Sequence, residues 1–336
     1  MAHFEHMIST IDAHTGGEPV RIVVNGLPPI SGRTMAEKKM HCKSHLDHFR
    51  TLLMQEPRGH NDMFGVILTP PCDDQAQYGI LFIDNEGYLD MCGHSIIGAA
   101  TVLIETGMVK AIEPETVIVF ETPVGLVSSY AKVENHRVIE VSFVNVPSFV
   151  FAENVEINTP SFGVVRCDIT FGGNFFATVD AQSLGLALTT ANLPFLVPLG
   201  IEIRQAVNEA VKIKHPEHQH IDRVELTEFY ELPDPCKAFS KSLVVFGARQ
   251  FDRSPCGTGL SAAMSTFHAK GKLSLNSDFI FESIIGTRFH GRLIRTIDLQ
   301  GYPAVEPRVT GSSYLTGIHQ FVVDPDDALK YGFRIG

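Results

Sequence analysis

"DMCGHSIIGAATVLIETG" (residues 90–107) and "DRSPCGTGLSAAMSTFHAKG" (residues 252–271) decide how this chain is built. Each holds a cysteine, then a glycine, then an apolar run. An offset of 164 residues lays Cys92 on Cys256, Gly93 on Gly257, Ala99 on Ala263 and Gly107 on Gly271. The apolar periodicity predicts helices over residues 96–105 and 260–269. Each stops just before a glycine, the residue that most easily takes the left-handed cap. Further on, "FETPVG" (120–125) resembles "FESIIG" (281–286) at an offset of 161. Strand, cysteine, helix, glycine and Phe-Glu strand thus occur twice in the same order. A repeat of this kind predicts two pseudo-equivalent halves.

Short β runs broken by Gly, Pro, Asn and Asp surround these segments. Residues 64–70, 78–84, 117–122, 125–133, 138–146, 242–248 and 278–284 read as strands. "DNEG" (84–87) reads as a hairpin turn. Residues 191–211 carry a helical pattern broken by prolines and Gly200. The prediction is an α+β chain richer in strand than in helix. Its 336 residues suit one large or two medium domains.

Composition narrows the function. Hydrophobic residues at 44% and charged residues at 19% are ordinary for a soluble globular protein. A formal charge of -11 disfavours nucleic acid and anionic membrane surfaces as partners. No apolar run reaches the roughly 20 residues of a spanning helix. The first residues lack a basic stretch followed by an apolar one, so no signal peptide is expected. Six cysteines, at 42, 72, 92, 167, 236 and 256, show no disulfide-framework spacing, which predicts reduced thiols in a cytoplasmic protein. Cys42, Cys72, Cys167 and Cys236 read as small buried hydrophobes. The C-x-H of Cys92 and His94, and "KHPEHQH" (214–220), could hold a metal. A polar loop explains the second as well, and no metal is expected.

Cys92 and Cys256 invite a chemical reading. A thiol at a helix N-terminus sits at the positive end of the dipole, near free N–H groups. Both features favour thiolate and predict a pKa below the usual value of roughly 8.5. The adjacent glycines let a ligand approach the backbone closely. The N–H groups of Gly93, His94, Gly257 and Thr258 could then hold a carboxylate without arginine. Two such thiols facing one cleft suit the inversion of a carbon centre. A thiolate removes a proton from one face and a thiol delivers one to the other. The N–H groups would stabilise the enolate-like charge. A redox pair is the rival, although no C-x-x-C is present.

"MCGH" (91–94) and "DRSPCGTG" (252–259) closely resemble the paired motifs of the proline racemase family. "DAHTGGEPVR" (12–21), "EPRGHNDMFG" (56–65), "FGGNFFATVDA" (171–181) and "TGIHQFVVDPDD" (316–327) extend the resemblance over essentially the whole chain. The resemblance implies a diaminopimelate-epimerase-like fold. Each half would be a curved, mostly antiparallel, barrel-like sheet around a central helix, with the active site between the halves. Residues 1–130, joined by 312–336, would carry Cys92; residues 131–311 would carry Cys256.

The resemblance also implies a homodimeric isomerase that acts on a small molecule with no pyridoxal phosphate, no metal and no other cofactor. In the trans-3-hydroxyproline dehydratase branch the second cysteine is typically threonine, so Cys256 argues against dehydration. Proline racemase and 4-hydroxyproline 2-epimerase both keep two cysteines. Phe64 and Phe246 match the phenylalanines that proline racemases place against the substrate ring, which points to proline; plain core packing is the other reading of both. Asp252 and His94 match residues near the ring nitrogen. Asp252 could instead be a turn residue and His94 structural. The Thr15-Gly16-Gly17 turn and Gly172-Gly173-Asn174 look like pocket-shaping loops. From other classes, a non-catalytic binder of small carboxylates or a thiol redox sensor stays open.

Overall fold

The computed structural model describes residues 4–232 and 239–335. Cys236 lies outside the described residues. The chain divides into two compact units, one running to Val141 and resuming at Ser312, the other spanning Ser142–Gly311.

In the first unit the strands are β1 (His6–Thr15), β2 (Glu18–Asn25), β3 (Phe64–Thr69), β4 (Tyr78–Asp84), β5 (Tyr88–Leu89), β6 (Glu115–Thr122) and β7 (Gly125–Glu134). Strand β8 (Arg137–Val144) runs across the boundary. The second unit holds β9 (Ser148–Thr159), β10 (Gly163–Phe171), β11 (Phe175–Asp180), β12 (Val224–Glu231), β13 (Ser240–Phe246), β14 (Gln250–Phe251), β15 (Asp278–Glu282), β16 (Arg288–Leu299) and β17 (Tyr302–Gly311). Strand β18 (Ser313–Val323) returns the chain to the first unit.

The two units repeat one pairing scheme. Strand β18 pairs antiparallel with β1 and β1 with β2. Then β2 runs parallel to β3, β3 antiparallel to β4, β4 parallel to β6 and β6 antiparallel to β7. In the second unit β9, β10 and β11 pair antiparallel, β11 is parallel to β12, β12 antiparallel to β13, β13 parallel to β15 and β15 antiparallel to β16. Pairing of β16 with β17 and of β17 with β9 closes eight strands into a barrel.

Parallel neighbours need a crossover, and crossovers are where the helices lie. Helices α1 (Met35–His41) and α2 (Asp47–Met54) fill the one from β2 to β3, and α3 (Gly93–Glu105) the one from β4 to β6. In the second unit α4 (Leu193–Ala210) joins β11 to β12, and α5 (Gly257–Ala269) joins β13 to β15.

Helices α3 and α5 are both 13 residues long, and Gly93–Ile104 and Gly257–Phe267 are buried throughout. A helix apolar all round belongs inside a core. Small residues let the sheet close on it. A Cβ at Gly98 would come 2.6 Å from Val20 Cγ1. Beyond the helices, Gly107 and Gly271 have φ of +75° and +68°. The capping bonds keep the 164-residue offset: Val109 N donates to Leu103 O and Leu273 N to Phe267 O. Phe120 and Phe281, the anchors of the second match, are fully buried on β6 and β15, each at a parallel bridge.

One element differs from the sequence reading. Residues 193–210 form a single helix despite Pro198 inside it. Packing overrides the missing N–H, which costs about 3 kcal/mol in a helix interior. Leu196, Leu199, Ile203 and Val207 are fully buried. Gly200 fits against Val245, and its carbonyl accepts from Thr227 Oγ1 at 2.7 Å.

Candidate active site

In the first unit, Cys92 is the N-cap of α3 in extended conformation. Its sulfur lies 3.2 Å from His94 Nδ1, and Ser95 Oγ lies 3.3 Å from His94 Nε2. Burial pushes the His94 pKa down to about 3, against a weaker opposing contact with the Pro19 backbone. The ring is therefore neutral. A neutral imidazole can accept from a thiol or donate to a thiolate, so it serves either state of Cys92. Phe64, buried at the start of β3, meets the His94 ring edge-on at 4.7 Å between centroids. The first turn of α3 is seated by Thr15, whose hydroxyl donates to His94 O at 2.9 Å. The β1–β2 turn that follows uses positive φ at Gly16 and Gly17.

In the second unit, Cys256 caps α5, and the Gly259 N–H donates to its sulfur at 3.4 Å. Thr258 Oγ1 lies 3.5 Å from the same sulfur. Cys256 has φ +61°, a left-handed conformation that costs a non-glycine residue energy and recurs at functional sites. The approach is held by a chain of bonds. Asp252 N donates to Val244 O, Ser254 N to Asp252 Oδ1, and Cys256 N to Ser254 Oγ. Asp252 thus does make a turn, and its buried carboxyl lies beside the thiol as well. Phe246 is buried at the end of β13, in the other unit from Phe64.

The first-turn N–H groups of Gly93, His94, Gly257 and Thr258 have no carbonyl within their own helices to donate to. The expectation of a lowered pKa at both thiols fails at Cys256. Burial, then the charges of Asp252 and Glu228, push this thiol well above its ordinary value, and the Thr258 and Gly259 donors only partly oppose them. The helix terminus is outweighed by desolvation and two carboxyls. Cys256 therefore rests as the thiol.

The chain is similar to known proteins over nearly all of its length. The proline racemase family model matches residues 10–334. The chain belongs to the proline racemase family. A proline racemase from Acetoanaerobium sticklandii is 49% identical over 99% of each chain. A 4-hydroxyproline 2-epimerase from Streptosporangium roseum is 42% identical over 98% of this chain and 99% of that one. A hydroxyproline epimerase structure from Agrobacterium vitis, with bound trans-4-hydroxy-L-proline, superposes with a TM-score of 0.94. It is 32% identical and covers 100% of this chain and 97% of that chain.

Within this proline racemase family member, sequence reasoning missed two features of the Cys256 half. Glu228 on β12 is buried, and its carboxyl lies against Gly259 in the first turn of α5. The signal was faint: Glu228 is one of three glutamates in the run "VELTEFYE" (224–231), and nothing in the sequence marks it as the one turned inward. Asn145 donates to Gly172 O at 2.8 Å and to Ser261 Oγ at 3.0 Å, tying the glycine turn to α5. Nothing in its sequence setting distinguishes it.

The remaining cysteines and histidines sit in different settings. Cys42 and Cys167 are buried free thiols pushed up to about 12, chiefly by burial. Cys72 is only half-buried. His215 is buried against Phe149 and Phe171, and its Nδ1 accepts from the N–H groups of Glu217 and His218. Among the described residues no group of three His, Cys, Asp or Glu side chains could hold a metal ion. Among them, too, no helix is long and apolar enough to cross a membrane.

Proposed function

We propose that this chain is a cofactor-independent proline racemase that interconverts L- and D-proline with Cys92 and Cys256 as alternating acid and base. One observation carries the reading: two topologically equivalent units each present a thiol at the start of a buried 13-residue helix. The 49% identity to a named proline racemase supports the substrate.

The chemistry needs no redox partner. One thiolate takes the α-proton, and the C–H electron pair moves into the carboxylate as an enolate. The other thiol delivers its proton to the opposite face, and the two cysteines finish with their protonation states exchanged. First-turn N–H groups at Gly93, His94, Gly257 and Thr258 would hold the substrate carboxylate where negative charge develops. His94 and Asp252 would meet the ring nitrogen, and Phe64 and Phe246 would wall the ring. We place the reaction in the cytosol, in line with the scattered cysteine spacing, and expect a homodimer as the working form.

The 42% identity to a 4-hydroxyproline 2-epimerase supplies the second reading. A ring hydroxyl against two phenylalanines would lack a partner, at a cost of roughly 1–3 kcal/mol. The test is α-proton exchange in D2O by NMR, with L-proline and trans-4-hydroxy-L-proline run in parallel. Exchange on proline with D-proline appearing is expected. Faster exchange on hydroxyproline selects the epimerase. Ligand-induced stabilisation without exchange on either would identify a carboxylate binder, and a reversible Cys92–Cys256 disulfide as the working state a redox sensor.

A further inference from the structure

Glu228 is the group in the second unit whose chemistry the racemase reading leaves unexplained. It sits in the middle of β12, parallel-paired with Thr178 on β11 and antiparallel-paired with Val244 on β13. Successive residues of a strand face opposite sides. Thr227 bonds to Gly200 on α4, and Glu228 turns to the opposite side, toward α5. A Cβ at Gly259 would lie 2.7 Å from Glu228 Oε1, so glycine is what lets this carboxyl reach the helix start. Both carboxyl oxygens are buried and have no hydrogen-bond partner among the described residues. Burying a carboxyl unpaired is costly. Leucine would fill such a position without the cost, so the carboxyl calls for a role.

The groups around it define that role. From the turn before α5 come Asp252 and Cys256, which both feel the Glu228 charge or exert theirs on it. Arg253 acts on Asp252. Tyr230, two residues along β12, and the Asp168–Lys270 ion pair add further titratable groups on this side. Arg204 on α4 is engaged elsewhere, with Glu225 O and Gly247 O. Among the described residues no base is hydrogen-bonded to the Glu228 carboxyl, and its neighbours at the helix start are a second carboxyl and a thiol. On the Cys92 side the nearby acid in sequence, Asp90, is already paired with Lys39 at 2.8 Å.

We propose that Glu228 is a positioning residue for Cys256: with Asp252 it forms a buried carboxyl pair that keeps the Cys256 thiol carrying its proton until a cationic amine ligand arrives. The ligand's ammonium then balances the pair's charge, and Cys256 can release and retake the proton. This role sets the resting state of Cys256, one half of the thiol–thiolate pair that a racemase needs, because two thiols or two thiolates are both inactive. The inference rests on the two-thiol reading for its purpose, but its test does not require turnover.

In a Cys92→Ser background, Cys256 alkylation by iodoacetamide is followed against pH, with residue-resolved mass spectrometry, for Glu228, Glu228→Gln and Glu228→Asp. Thiolate reacts and thiol does not. Burial, then the Asp252 charge, push the Glu228 carboxyl itself well above its ordinary value, so its charge bears on Cys256 at the alkaline end of the profile; there Glu228→Gln removes that charge at constant volume and is expected to speed alkylation about tenfold, the equivalent of one pKa unit. Glu228→Asp keeps the charge and is expected to stay within about threefold of the parent. No change with Gln, or an equal change with Gln and Asp, overturns the proposal in favour of packing alone. Failure of Glu228→Gln to fold also overturns it, because neutralising an unpaired buried carboxyl should not cost stability. Proline exchange by the unmutated enzyme separates the two readings. Exchange without a Glu228 effect sinks this inference alone. A Glu228 effect without exchange supports it and sinks the racemase reading.

Discussion

Serine at position 92 or 256 keeps the shape of cysteine and loses its acidity. Cys92→Ser and Cys256→Ser should each lower two-way proline racemisation by about 10³-fold or more, the scale of a lost acid–base group. Circular dichroism should stay unchanged, and substantial racemisation by either variant rules the mechanism out. His94 gives a second prediction, through stability. Its folded pKa of about 3 lies below the unfolded value of about 6.5. The unfolded chain therefore takes up this proton first, and stability is lost as pH falls from about 6.5 toward 3. Asp252 works in the opposite sense. Burial raises its pKa to about 6, so its contribution is fullest in acid and is lost as pH rises from about 4 to 6. Comparing His94→Asn with the parent isolates the first effect. Between pH 7 and 4.5 the parent should lose roughly 2–3 kcal/mol more than the variant in urea unfolding; equal losses would show that His94 is not held neutral. At this scale the cysteines and their flanks were legible because reactive side chains sit in specific local motifs. The rise in the Cys256 pKa was not, since it comes from burial, then from Asp252 and from Glu228 on a strand 28 residues upstream.

At the scale of elements, the repeat was legible because both helix starts and both glycine caps are local. The helix length, the Gly107 and Gly271 caps and the buried Phe120 and Phe281 all preserve the offsets read in the sequence. Residues 193–210 were harder to read, because Pro198 argues locally against a helix that tertiary packing supports. The glycine turns show what such packing demands. A Cβ on Gly172 would lie 2.2 Å from Thr258 O and 2.8 Å from Ala262 N, both backbone atoms of α5. Neither can move without shifting the helix start and Cys256 with it. Gly172→Ala should therefore cost about 1–3 kcal/mol, and proline exchange should fall more steeply than stability explains. A variant with parent-like Tm and exchange would show that the β10–β11 turn does not seat the Cys256 helix.

For the whole molecule, the two units are closed by different means. The second completes its barrel from its own residues, since β17 returns to β9. The first depends on the end of the chain: β18 covers β1 from His6 to Thr15. Arg58 ties the same tail down by donating to Val322 O and Lys330 O. Val323 shares a buried cluster with Ile8, Met35, Cys42, Phe49 and Leu53. Removing residues 312–336 should therefore open one unit and spare the other. Two buried cysteines report on this without any enzymatic readout. Cys42 and Cys167 have 1% and 2% of their surface exposed, so neither should react with iodoacetamide in the intact protein. In the truncated chain Cys42 should become reactive at native pH while Cys167 in the second unit stays protected. Protection of both would mean that the first unit holds together without its returning strand. Reactivity of both would mean that the second barrel, though closed by its own pairings, cannot stand alone.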